Sequence, residues 1–88
     1  MTVNILKEIL GNVIKDFNNK NDDFKITYWE IFDNDNFKEL SYTLYIEDIK
    51  TDVEYQSSDT YSYDDNLDYD IVYNRIMTVL DRDIEEVF

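Results

Sequence analysis

Ile5, Leu6, Ile9, Leu10, Val13, Ile14 and Phe17 recur at spacings of three and four along the first segment. Such residues line one face of an α-helix, because 3.6 residues complete each turn. Thr2 or Asn4 offers a starting cap, and the polar run Asn18–Asn21 ends the element. Gly11 falls on the polar face of this helix, where it costs ~1 kcal/mol relative to Ala.

The period then changes to two. Phe24, Ile26 and Tyr28 alternate with Lys25, Thr27 and Trp29 in a strand that reaches about Phe32. Two registers compete here. One buries Phe24, Ile26 and Tyr28 and leaves Trp29 outside near Lys25, Thr27 and Tyr45. The other buries Trp29 with Ile31 and exposes Tyr28. Asp33-Asn34-Asp35-Asn36 predicts a turn, since Asx side chains bond their own backbone and tolerate left-handed conformations. A second strand carries Leu40, Tyr42, Leu44 and Ile46 on one side and Ser41, Thr43, Tyr45 and Glu47 on the other. After a turn at Asp48–Thr51, Val53, Tyr55 and Ser57 begin a third strand that fades across Ser58–Ser62.

From about Asp65 the helical period returns, with Tyr69, Val72, Tyr73, Ile76, Met77 and Leu80 on one face. Asp64, Asp65 or Asn66 can cap it, and early acids suit the helix dipole. Asp83 would fall inside the apolar stripe. The pattern therefore predicts a break near Asp81–Asp83, with Asp83 and Glu86 capping a short last helix that ends at Phe88. The fold class is α+β, a single domain over residues 1–88. Its order is α-β-β-β-α, with a three-stranded antiparallel meander packed against helices on one face and a short extra C-terminal helix. Double-stranded-RNA-binding domains share this element order. The charge here has the wrong sign for that function, and no basic loop is present.

Composition narrows the chemistry. The 88 residues include no Cys, His, Pro or Ala, and one Gly. A disulfide framework, a thiolate nucleophile, a Cys-based zinc site and the commonest neutral-pH general base are all excluded. Glycine-rich phosphate loops are excluded too. Paired carboxylates remain, but they need a cleft that a domain this small hardly builds. The expectation is a protein that is not an enzyme and needs no cofactor. No apolar run approaches a membrane span, and no basic stretch precedes an apolar one near the N-terminus. The expected location is the cytoplasm of a bacterial host. Abundant Asn, Lys, Ile, Asp and Tyr point to an AT-rich coding sequence, as in a low-GC bacterium or its phage.

Charge changes the picture most. Twenty-one acids face eight bases, a net charge of −13. Residues 1–46 hold 8 acids and 5 bases; residues 47–88 hold 13 acids and 3 bases. Solubility alone does not require that asymmetry. Direct nucleic-acid binding is disfavoured, because phosphates would be repelled. The expected partner is a basic nucleic-acid-binding protein.

The stretch from Glu54 to Tyr73 is the candidate site. Tyr61, Tyr63, Asp64, Asp65, Asp68 and Asp70 are its expected centre, with Glu54 and Asp59 at the edge. Tyrosine supplies rigid contact area with a polar tip, and neighbouring carboxylates receive Arg and Lys from a basic partner. The alternative is a polar loop with core tyrosines, which suits Tyr55, Tyr69 and Tyr73 better than Tyr61 and Tyr63. Lys7, Glu8, Lys15 and Asp16 give the first helix a nearly balanced outer face and a structural role. Asp64, Asn66, Asp68 and Asp70 match the odd positions of a calcium loop. Tyr69 stands where that loop needs Gly, however, and Arg75 where it needs Glu, so no metal is assigned.

In size, acidity and element order the whole chain resembles the small acidic phage proteins that block defence nucleases by occupying their DNA site. Among these it is similar to anti-CRISPR inhibitors of Cas9. The resemblance implies nucleic-acid mimicry, with a CRISPR or other defence nuclease as partner. It contains no shared motif, so no binding residue carries over. The rival classes are an immunity protein or antitoxin against a basic nuclease, and an acidic adaptor without mimicry.

Salt tests the charge reading directly. Repulsion among the acids acts over distances near the Debye length, ~10 Å at 0.1 M, so added ions screen it. The melting midpoint of the isolated protein is expected to rise between low salt and about 0.2 M NaCl. A flat or falling midpoint would mean that the acids are paired locally.

Overall fold

The computed structural model describes residues 2–64 and 68–87. Helix α1 (Val3–Lys20) is followed by strands β1 (Phe24–Asn34), β2 (Glu39–Asp48) and β3 (Val53–Ser62), then helix α2 (Tyr69–Val87). The strands form one antiparallel sheet in the order β1-β2-β3. The expected α-β-β-β-α architecture is what the chain adopts.

Thr2 caps α1, its hydroxyl accepting from the Ile5 N–H. The apolar stripe is fully buried at Leu6, Ile9, Leu10, Val13 and Phe17 and half-buried at Ile14; Ile5, also expected in it, lies at the edge of the stripe and is exposed, as is Gly11. A methyl group at Gly11 would meet nothing within 4 Å. On β2, Leu40, Tyr42, Leu44 and Ile46 are buried against the helices, and the alternate residues face away. Both hairpin loops span four residues and end in a left-handed residue, Lys38 (φ 54°) and Asp52 (φ 58°).

The choice between the two registers at Trp29 resolves into both. Ile26 pairs with Ile46, but Tyr28 pairs with Tyr45, so Thr27 is an extra residue in β1. A bulge of this kind reverses the facing of everything beyond it. Phe24 and Ile26 face the helices before it; Trp29 and Ile31 do so after it, opposite Leu44 and Tyr42. Tyr28 therefore turns to the other face. Trp29 remains 38% exposed, because β1 is an edge strand.

Two expectations about the C-terminal half need correction. Strand β3 does not fade at Ser58 but runs to Ser62, paired along its whole length with β2. Helix α2 starts at Tyr69 and continues unbroken to Val87, so there is no separate last helix. Asp68 caps it, Oδ1 accepting from Ile71 N at 2.9 Å, in place of Asp64, Asp65 or Asn66. Asp83 is tolerated on the buried side because the Ser57 hydroxyl donates to its Oδ2 at 2.7 Å. A satisfied carboxylate does not break a helix.

Two polar contacts join the helices. Asn12 donates to the Tyr69 hydroxyl, and the Tyr73 hydroxyl donates to Asp16. Both pairs advance together along the chain, so the helices run in the same direction, as a three-stranded meander requires. Asp16 is thus half-buried and engaged, not part of a free outer face. The bond to Asp16, followed by loss of hydration, pushes the Tyr73 phenol up to about 12.

A raised phenol contributes stability that is whole below the ordinary tyrosine value near 10 and is lost as pH climbs through about 12. Tyr73→Phe is therefore expected to melt lower than wild type at pH 8 and to converge with it near pH 12. A constant gap in melting midpoint across that range would show that the Tyr73 proton is not held by Asp16.

Candidate functional site

The meander brings the β1–β2 loop beside the end of β3, because both lie at the same end of β2. There the Tyr63 N–H donates to the Lys38 carbonyl at 2.8 Å, and the Tyr63 hydroxyl donates to Asp35 Oδ1 at 2.9 Å. Asp33, Asp35 and Glu39 from the hairpin thus share one end of the molecule with Tyr63 and Asp64. All four of these acids are exposed. Partial loss of hydration, then the charge of and a hydrogen bond with Asp35, raise the Asp33 carboxyl above its usual value, against the pull of Lys38. The hairpin acids were missed in the sequence, where Asp33–Asn36 read only as a turn. The signal was available in the topology, since a meander must place that loop next to the end of its third strand.

The eight expected site residues do not form one patch. Asp64, Asp68 and Asp70 are exposed, and Tyr63 is half-buried. Glu54 lies on the face of the sheet away from the helices, opposite Glu47. Asp59 lies on the helix side, 3.8 Å from Arg75. Tyr61 is the clear correction: it is 1% exposed and part of the core. Continued alternation along β3 sets it opposite Leu40. Its ring stacks on Tyr42 at 6.2 Å, with the Arg75 guanidinium 5.5 Å from its centroid. Asp65 lies outside the described residues, as does Asn66 of the calcium-loop reading. Asp68 is used as a helix cap.

Between β3 and α2 runs a polar seam of Ser57, Asp59, Arg75 and Asp83. Burial, and then the neighbouring Tyr61, push the Tyr42 phenol well above its ordinary value. Its hydroxyl finds no hydrogen-bond partner among the described residues. The seam ties α2 to the sheet through side chains that a larger apolar core would make unnecessary. At the far end of the molecule, Asp23, Phe24, Asp48 and Lys50 line a depression. Its charges are already engaged, Lys50 pairing with Asp23 at 3.5 Å and donating its N–H to Asp48 Oδ1 at 3.0 Å. Among the described residues, no group of three or more acids is arranged to hold a metal ion.

The bond from the Tyr63 hydroxyl to Asp35 is one of the ties at the hairpin end. Removing the acceptor by Asp35→Ala, or the donor by Tyr63→Phe, should each cost about 0.5–1.5 kcal/mol, the worth of one exposed hydrogen bond. The double variant should cost little more than either single one. Additive losses in urea unfolding would mean that the two residues do not act together.

The chain matches no protein-family model, no curated protein and no solved structure.

Proposed function

We propose that the protein is a nucleic-acid-mimicking inhibitor, without catalytic activity, that occupies the basic DNA or RNA groove of a nuclease in a bacterial cytoplasm. A phage-encoded anti-CRISPR or other anti-defence role fits this best, with Cas9 suggested by the resemblance in size, acidity and element order. One observation carries the reading: the exposed acids of the hairpin end and of the start of α2 are without ion pairs among the described residues. None of the three ion pairs found among the described residues involves Asp33, Asp35, Glu39, Asp64, Asp68 or Asp70. Acids without a cationic partner repel one another in the free protein, even where they accept hydrogen bonds as Asp35 and Asp68 do, and are rewarded when a cationic surface arrives.

The magnitudes are compatible. The molecule is 40 Å long, and one nucleic-acid strand carries about 12 phosphates over that length at one per ~3.4 Å. A net charge of −13 is of the same size. Same-face residues on a strand stand ~6.8 Å apart, so carboxylates sample alternate phosphate positions. No helix among the described residues is long and apolar enough to cross a membrane.

The test begins with affinity capture of the partner from a low-GC host lysate at moderate salt, followed by competition with DNA for that partner. Asp64→Lys with Asp70→Lys should weaken competition about tenfold or more, as expected when phosphate-like charges are reversed. Glu8→Lys with Glu85→Lys makes the same charge change on exposed helix positions and should alter it less than about threefold. The opposite ranking would move the site to the outer helix positions around Glu8 and Glu85, away from Asp64 and the start of α2. A partner that binds no nucleic acid, held without dependence on salt, would favour the acidic adaptor.

A further inference from the structure

With both helices on one side, the other face of the sheet is open. Register places Tyr28, Glu30 and Phe32 of β1, Tyr45 and Glu47 of β2 and Glu54 of β3 on it. Tyr28 and Phe32 are 58% and 57% exposed. Elsewhere on the same face water is met by hydroxyl pairs, Ser41 with Thr60 at 3.0 Å and Thr43 with Ser58 at 3.1 Å. Tyr28 packs beside the half-buried Tyr45, and Phe32 stands two same-face positions further along β1, so three rings share one face, the pattern of a contact surface more than of scattered exposure.

Charge on this face says what would cover it. The Tyr28 and Tyr45 rings lie 5.5 Å apart, tilted by 43°, and the Tyr45 hydroxyl donates to Glu30 Oε2 at 3.3 Å. The result is an aromatic corner with a carboxylate fixed at its rim. Glu47 and Glu54 are direct cross-strand partners, an unfavourable pairing of like charges in the free protein. Lys25 is the one cation that register places on this face, and its ammonium turns away to donate to the carbonyls of Asn18 and Asn21.

We propose that the open sheet face docks a basic protein partner through arginine side chains. One guanidinium stacks on the Tyr28–Tyr45 corner and pairs with Glu30; another sits between Glu47 and Glu54. Arginine fits better than lysine because its planar, weakly hydrated cation stacks on rings and forms two parallel bonds to a carboxylate. A second copy of this chain is disfavoured, since it would bring another −13 to the contact. The surface adjoins the hairpin end but uses different residues, and it serves whether or not the partner is a nuclease.

The test is an NMR titration of the isotope-labelled protein at about 0.15 M salt, where loose surface pairing is screened. The probes are a short peptide of alternating Arg and Gly and its Lys–Gly counterpart. Amide shifts should concentrate at Tyr28–Phe32, Tyr45, Glu47 and Glu54, with the arginine peptide bound several-fold more tightly. Tyr28→Leu keeps apolar area but removes the ring face, and should abolish that preference. Both variants lose the cation–π contact and should bind the arginine peptide about fivefold more weakly than wild type, with Tyr28→Ala, which also loses apolar area, the weaker of the two. Asp64→Asn with Asp70→Asn should leave binding of both peptides nearly unchanged. Equal binding of the two peptides to wild type, or shifts centred on Asp35, Asp64 and Asp70, would overturn the proposal. DNA competition, by contrast, reads only the hairpin-end assignment, so the two can fail separately.

Discussion

Two helices cover one face of a three-stranded sheet and no more, and that constraint organises the rest of this chain. Leu40, Tyr42, Leu44 and Ile46 give the central strand its buried side, and the stripes of α1 and α2 close over it. The alternate residues Ser41, Thr43, Tyr45 and Glu47 must then meet water. Among the described residues the five elements leave none over to shield them. The edge strand shows the same economy. Asn18 of α1 bonds both the N–H and the carbonyl of Ile26, at 2.8 and 3.2 Å, which blunts β1 beside the bulge at Thr27. From Tyr28 onward the edge has no such cover from Asn18.

Most of the fold was legible in the sequence because two periodicities are clean. The helical stripes and the alternation of β2 each admit one burial pattern, and the structure adopts it except at Ile5, which stays exposed in the first turns of α1. What could not be read was where the period breaks. A bulge adds one residue without any composition signal, so the Trp29 register looked like a choice when it was a switch. Tyr61 sat in a run of Asp, Ser and Thr that resembled a loop. Pairing with an intact β2 kept that run extended and turned the ring inward. Asp83 looked like a helix break because its partner, Ser57, lies 26 residues away. All three misreadings concern non-local pairing, which local pattern does not contain. The candidate site fared worse for the same reason. Its acids were visible, but their division between the hairpin end, the open face and the α2 seam is a property of the sheet.

Electrostatics and packing pull against each other here. The surplus of acids destabilises the folded state, and the small core has few apolar contacts in reserve. Lys25 is directed to the C-terminal carbonyls of α1, where a cation suits the helix dipole, instead of neutralising Glu47 across the strand. Arg75 is committed to Asp59 and the Tyr61 ring, and Arg82 lies 3.5 Å from Asp83. These placements secure the helices and leave the carboxylates of the open face and hairpin end without intramolecular ion pairs among the described residues. Such an arrangement is poor for the isolated chain and well suited to one that meets a cationic surface.

Under the binding proposed above, the two outer surfaces would divide the work in a way their chemistry dictates. Exposed carboxylates act at a distance and are screened by salt, so they mainly raise the rate of encounter and orient the approach. Aromatic rings act only on contact, and the residence time of a complex depends on such contacts. The register row of Asn34, Glu39 and Ser62 lies on the open face at its loop end and joins the two surfaces without an intervening element. A partner drawn to Asp35 and Asp64 therefore needs no reorientation to reach Phe32 and Tyr28. Charge alone would bind any basic protein. It is the aromatic face, set outward by the single extra residue at Thr27, that can distinguish one from another.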